Sequence, residues 1–332
     1  MSIQRVAQLA GVPYSTTWRV INRIPGVSRE ATEAVQKAAE QVGYVRSLRR
    51  PVRNNIGSHR RSRSVALLYL RESTALSVST VRAVQRILIE QQLNLIFGHV
   101  TGPEDLPPAV LGGEVDGILG YGQFPAAAIT PKLMDISAVW MMSRTDNQAD
   151  PWGDRVMPDH RAIGRLAASY LLGKGHRHLA FFNLAPRHRF ISERGEAFFA
   201  AAEDRAESVR LLVVDEDLPP DSEAAIAQAI DLWQAARPRP TGLFVPRDLA
   251  AVAMHRHLLK HGVHPGRDVE FISCDNQPDY LRLVDHPPVS IDLALENIAH
   301  LAVERLLWRM RQGAGSPPVV VMASPVLAEC IS

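Results

Sequence analysis

Cysteine is almost missing from this chain. There are two in 332 residues, Cys274 and Cys330, far apart and in no zinc or redox spacing. That excludes a disulfide scaffold and fits a reduced, cytoplasmic protein. No run of about 18 apolar residues occurs, which excludes a membrane-spanning helix. The first stretch, MSIQRVAQLAGV, lacks the apolar core of a secretory signal. No G-x-x-x-x-G-K-[ST], H-E-x-x-H or G-x-S-x-G is present, and GILGYG lacks the G-x-G-x-x-G order that opens a dinucleotide-binding helix. His257 and His261 stand four apart with no third ligand nearby, and read as a histidine-rich helix surface. No catalytic apparatus, metal or cofactor is expected, so the chain is read as a non-enzyme.

What is present is apolar content of 46%, enough for two or three compact domains. Net charge is +2, but it is unevenly spread. Residues 1–64 hold 12 Lys and Arg against 3 Asp and Glu, a net of +9, leaving −7 on the rest. A small basic head on an acidic body points to a polyanion partner, the plainer alternative being a solvated basic tail.

Residues 2–44 read as three short helices. Ile3, Val6, Ala7 and Ala10 recur at helical spacing, Val20 and Ile21 line the second, and Ser28 opens the third, whose inner stripe is Ala31, Val35, Ala38, Ala39 and Val42. Residues 45–64 form a linker with seven arginines and no acid. Beyond it, apolar strands such as VALLYL (65–70), AVWMMSR, HLAFFNL and VEFISCD alternate with helices, ending in the amphipathic LENIAHLAVERLLWRMRQ. Strands apolar on both faces and separated by helices imply parallel sheets. About 265 residues of this pattern exceed one sheet, so two α/β lobes are expected.

The head carries the clearest motif. Counting Ile3 as the first of twenty positions, Ala7 falls fifth, Gly11 ninth and Val20 eighteenth. A helix-turn-helix needs a small residue where the second helix crosses closely and glycine where the chain turns with positive φ. IQRVAQLAGVPYSTTWRVINR, followed by VSREATEAVQKAAEQVGY, resembles the head of the LacI/GalR family of bacterial repressors. The likeness continues through VDGIL, GKGHRHLAFF, SERGEAFFAA, GLFVPRDLAAVAM and VEFISCDNQPDY.

The resemblance implies a helix-turn-helix DNA-binding domain at 1–45 and a linker at 46–64. A two-lobed, periplasmic-binding-protein-like effector and dimerisation domain then spans 65–332. Lobe 1 would hold about 65–159 and 292–320, and lobe 2 about 160–291 and 321–332. The implied function is a sequence-specific DNA-binding repressor acting as a homodimer on a pseudo-palindromic, double-stranded operator. Alternatives are a cytoplasmic sugar-binding protein, or an α/β enzyme with an appended DNA-binding head. The family's dimer faces map to about 77–91 and 280–285.

By the same resemblance Tyr14, Ser15 and Arg19 face DNA, with Thr16 and Asn22 on phosphates. Thr17 stands where the family has an apolar residue, and Trp18 where it has serine. Either the indole fills space that Thr17 leaves, or its N–H reaches phosphate. The linker departs further, with Arg46, Ser47, Arg50 and Arg53 in the family's Pro, Asn, Ala and Leu slots. One reading is a displaced hinge helix from Pro51 with Ile56 as the minor-groove wedge; the other is an arginine strap, Arg49 and Arg53 among it, on phosphates.

For the body, the resemblance implies a small ligand between the lobes, a sugar or sugar phosphate, held by Asp159, Arg194 and Asp275, with Arg144 and Phe190 as further candidates. A carboxylate accepting and an arginine donating suits vicinal hydroxyls. His160 replaces a frequent asparagine. Arg247 replaces the asparagine of an Asn-Asp pair, and is read either as facing an acidic ligand or as paired with Asp275 or Asp248.

Overall fold

The computed structural model describes residues 3–21, 27–42, 62–70, 78–123, 128–144, 152–312 and 316–328. The chain divides into two compact units: residues 1–157 with 298–321, and residues 158–297 with 322–332.

The first unit begins with α1 (Ile3–Ala10), α2 (Tyr14–Ile21) and α3 (Arg29–Gln41). Val6, Val35 and Ala38 form a small buried core, with Ala10, Val12, Val20, Ile21, Ala39 and Val42 packed on it. Gly11 ends α1 at φ +63°, and the Val12 amide donates back to the Ala7 carbonyl at 3.2 Å. A side chain at position 11 would meet open space, so the backbone conformation alone calls for glycine. The Ser28 hydroxyl accepts from the Ala31 amide at 3.3 Å and caps α3.

An α/β layer follows with β1 (Ser64–Leu70), α4 (Val78–Glu90), β2 (Asn94–His99), α5 (Pro108–Leu111), β3 (Gly117–Gln123), α6 (Thr130–Leu133), β4 (Ala138–Arg144) and β5 (Asp154–Pro158). All seven residues of β1 are buried, as a strand covered on both faces requires. β5 is not among the strands expected from sequence: it is five residues long and opens with an acid and an arginine. That acid, Asp154, is fully buried and explains itself only in three dimensions, as described below.

The second unit runs α7 (His160–Gly173), β6 (His178–Asn183), α8 (Arg189–Ala202), β7 (Ser208–Val213), α9 (Glu223–Ala235), β8 (Gly242–Phe244), α10 (Asp248–Lys260), β9 (Glu270–Cys274), α11 (Pro278–Leu281) and β10 (Val289–Asp292). Then come α12 (Leu295–Gln312), β11 (Val320–Ala323) and β12 (Val326–Leu327). The two sheets have strand orders β11-β5-β4-β3-β1-β2 and β12-β10-β9-β8-β6-β7. The pairs β2–β1–β3–β4–β5 and β7–β6–β8–β9–β10 are parallel, while β12 joins β10 antiparallel.

In the second unit, one side of the sheet is covered by α9 and α10 through Ile226, Ile230, Trp233, Ala251 and Met254. The rings of Phe181, Phe198 and Phe244 meet at 5.3–6.2 Å and seat α8 on the strands. α7 and α8 cross at Gly164, where an added Cβ would lie 2.2 Å from the Arg194 carbonyl oxygen. Close backbone approach therefore demands glycine here, and it fixes Arg194 next to the start of α7.

Candidate functional site

Two places gather the residues expected to act. The first is α2. Ser15 is exposed; Tyr14, Thr16, Trp18 and Arg19 are half-buried. Asn22, Arg49, Arg53 and Ile56 lie outside the described residues.

Thr17 answers one question. It is fully buried in its own right, and its hydroxyl donates to the Pro13 carbonyl at 3.2 Å, one turn back. Trp18 is not in the buried apolar cluster of the head. Threonine is close to valine in shape and its polar atom is satisfied by carbonyls at the start of α2, while packing beside Thr17 and reaching phosphate both remain as roles for the half-buried Trp18 indole.

The second place is the carboxyl end of the second unit's sheet, where open α/β sheets bind ligands. The hub is Arg194 on α8, buried to 4% exposure. Its Nε donates to His160 Nδ1 at 3.3 Å and its Nη1 to the Pro246 carbonyl at 2.7 Å. Nη1 also lies 3.9 Å from Asp275 Oδ1. His160 stacks on Phe190 with centroids 4.3 Å apart and planes 16° from parallel. Arg194, Asp275 and Phe190 thus come together, with His160 as a fourth member.

Asp275 and Asn276 both take left-handed backbone conformations, φ +113° and +49°. Such residues cost roughly 1 kcal/mol or more each and persist where surrounding bonds impose them. Those bonds are visible. The Asp275 amide donates to the Ile291 carbonyl at 3.0 Å, the Asn276 amide to Ser290 Oγ at 3.0 Å, and Asn276 Nδ2 to Asp292 Oδ2 at 2.9 Å. The Gln277 amide donates to Asp248 Oδ2 at 2.7 Å. Asp248 is fully buried, and its other oxygen accepts from the Ser273 and Ser290 hydroxyls. Sequence reasoning saw Asp248 only as half of an Arg-Asp pair. Its role is to bolt the Asp275 turn to the start of α10, and serines 25 and 42 residues away in sequence gave no signal of it.

Burial pushes Asp248 up to about 6 against the three donors that oppose the rise. It pushes Asp275 up to about 7, with Arg194 and Arg247 pulling down and the Asp248 and Asp221 carboxylates pushing up. His160 is forced the other way, to about 2, by burial and by the Arg194 and His188 charges. The ring is neutral at every physiological pH.

The remaining expected residues have other partners or lie outside this cluster's described contacts. Asp159 caps α7, accepting from the Ala162 amide at 2.8 Å, with its second oxygen 3.6 Å from Arg165. Arg144 ends β4 in the other unit, and its side chain lies outside the description. Arg247 pairs with neither Asp275 nor Asp248. It binds Asp221, an acid on the loop before α9 that sequence reading did not consider. Among the described residues no group of three metal-binding side chains occurs, and no helix is long and apolar enough to cross a membrane.

Residues 2–47 match the family of bacterial regulatory proteins, lacI family, and residues 168–329 match the periplasmic binding protein-like domain. The chain belongs to the lacI family. Along nearly its full length it is similar to the HTH-type transcriptional repressor PurR of Vibrio vulnificus, 24% identical over 93% of this chain and 92% of that protein. The HTH-type transcriptional regulator GntR of Pseudomonas aeruginosa is 26% identical over 92% of this chain and 88% of its own length. Its fold is similar to that of a transcriptional regulator CelR-cellobiose complex, with a TM-score of 0.69 and 22% identity over 99% and 98% of the two chains. The Lac repressor bound to ONPG follows at a TM-score of 0.60 and 17% identity over the same shares. This lacI-family chain is therefore a transcriptional regulator with a DNA-binding head and a periplasmic-binding-protein-like body.

Proposed function

We propose that the protein is a ligand-responsive repressor that binds a pseudo-palindromic operator as a homodimer and is controlled by an uncharged sugar. Its DNA-binding domain runs over 1–45, its linker over 46–64 and its effector and dimerisation domain over 65–332. Tyr14, Ser15 and Arg19 read the major groove; Thr16, Trp18, Asn22, Arg49 and Arg53 hold phosphates. The dimer forms on the faces around 77–91 and 280–285. The protein works where its DNA is, in the bacterial cytoplasm. Ligand and operator are linked by a coupling free energy, so each changes the affinity for the other by the same factor.

The observation that carries the choice of an uncharged ligand is the partnering of Arg247 by Asp221. Arg194 and Arg247 face three carboxylates, Asp221, Asp248 and Asp275, so the site holds no surplus positive charge for a phosphate. Arg194 and Asp275 instead offer a donor and an acceptor at one place, which suits vicinal hydroxyls. Titrating the protein's own promoter DNA in a gel shift, with and without neutral sugars and their phosphates, tests the reading. A specific shift altered by a neutral sugar is expected. No specific shift at moderate salt overturns the repressor reading, and a response to sugar phosphate alone overturns the ligand class.

A further inference from the structure

We propose that His160 is a specificity-determining residue of the ligand site: its Nε2–H is a fixed donor reserved for an acceptor oxygen of an uncharged sugar. The inference rests on the sugar-responsive reading above and adds to it the one atom that the protein leaves open.

The proton is placed by its neighbours. A guanidinium nitrogen only donates. Arg194 Nε reaches His160 Nδ1 at 3.3 Å, so Nδ1 presents its lone pair and the ring proton sits on Nε2. His160 is 4% exposed, and among the described residues its Nε2 has no hydrogen-bond partner. A buried donor without a partner is costly, and most folded proteins avoid it. The ring cannot turn away from the cost. It is clamped in plane by Phe190 at 4.3 Å, and a flip would put a proton against the guanidinium. Nor can it become an acceptor at Nε2, since Nδ1 is committed. Asparagine at this position would offer a carbonyl as well as an amide. Histidine here offers a donor only, at every pH where the protein lives. A ligand atom beside it must accept: an ether, glycosidic or hydroxyl oxygen serves, whereas an ammonium is refused.

Histidine-labelled (15N) full-length protein, followed by long-range proton–nitrogen correlation from pH 5 to 8, reads the ring directly. The Nε2–H tautomer is expected throughout. Thermal-shift and calorimetric titrations with cellobiose, D-glucose, D-galactose, D-fructose and D-ribose supply the second arm. A sugar that stabilises the wild type should bind His160→Phe about tenfold or more weakly, the loss of one hydrogen bond from a desolvated donor. His160→Asn, which keeps a donor, should recover most of that loss and serves as the folding control. The same sugar should move the Nε2–H proton downfield. A cationic or Nδ1–H ring at pH 7 overturns the proposal, as does equal binding by wild type and His160→Phe. Should none of these sugars stabilise the wild type, the sugar reading fails on its own. The ring then decides: an Nε2–H exchanging as fast as free imidazole overturns the role of His160, and a protected one supports it.

Discussion

The Arg194 guanidinium donates to the Nδ1 of a histidine, not to an acid, and its Nη1 stops 3.9 Å short of Asp275. A buried arginine normally sits against a carboxylate that neutralises it. Here the charge is shared out: one proton to His160, one to the Pro246 carbonyl, and a longer-range attraction to an acid that burial drives toward its neutral form. The hub is thus electrostatically incomplete, and three predictions concern the elements that hold it or resemble it.

Gly164 is the contact that admits α8. Gly164→Ala places a methyl group 2.2 Å from the Arg194 carbonyl oxygen and 2.7 Å from the Phe198 amide nitrogen. Both are backbone atoms and cannot swing aside, so the helices must separate. A loss of about 2–3 kcal/mol is expected, in the range of overpacked cores. Urea unfolding measures it. Sugar affinity should fall as well, since Arg194 moves with α8; an unchanged midpoint would show that the crossing is looser than the geometry states.

Asp275 makes the second unit sensitive to pH. Its ordinary value is 3.8 and burial raises it to about 7. A raised acid binds its proton in the folded state while the unfolded chain has already released it, so stability falls as pH rises between the two values. Wild type should therefore lose about 3–4 kcal/mol more than Asp275→Asn between pH 4 and pH 7.5. Thermal unfolding of both proteins across that window checks it. Comparing the pair cancels groups such as Asp268, whose own carboxyl is held low by Arg267. Parallel curves would refute the assignment.

How much of this was readable beforehand divides by the range of the interactions. The helix-turn-helix is a local device: Ala7, Gly11 and Val20 lie within eighteen residues, and each spacing has its own steric reason. The parallel sheets were legible because strands such as β1 are apolar throughout. Arg194 and Asp275 were picked out by resemblance. Asp221, Asp248 and the open nitrogen of His160 were not, because their meaning depends on partners 25 to 42 residues away. A short strand with a buried acid, β5, was missed for the same reason.

That acid, Asp154, is the unit 1 counterpart of a fully satisfied charge. Arg305 reaches it twice, through Nε at 2.8 Å and Nη2 at 2.6 Å, Arg309 Nη1 at 2.5 Å, and the Val319 amide at 3.0 Å. Arg309 is itself buried and also donates to the Ser316 carbonyl at 3.0 Å. The cluster ties the end of α12 to β5 and to the segment that becomes β11. Asp154→Asn strands a buried guanidinium and should cost about 3–5 kcal/mol. Removing Asp154 together with the buried Arg309 in an Asp154→Leu/Arg309→Met double variant should cost clearly less, because the one charge left without its acid, Arg305, is partly exposed to water. Equal losses in the two proteins would mean that packing, not charge pairing, sets the stability there.

Thr17 and Trp18 sit side by side on α2 but answer to different demands. Thr17 is buried and its hydroxyl donates to the Pro13 carbonyl, with the Val12 carbonyl at 3.5 Å, both at the start of α2, so these local bonds contribute little that an undistorted helix lacks. Thr17→Val keeps the shape and drops the polar atom, and should leave thermal stability within about 1 kcal/mol of wild type and operator affinity unchanged. Trp18 is half-buried and outside the apolar cluster of the head. If it grips phosphate, Trp18→Ser should weaken promoter DNA uniformly across sequences, at nearly constant melting temperature. An uncharged indole releases no counterion, so the salt dependence of binding between 50 and 200 mM should stay as it is, whereas Arg19→Ala, if Arg19 contacts a phosphate, should lower the slope by about 1. A Trp18→Ser protein that melts several degrees lower yet keeps its affinity would return the indole to the core.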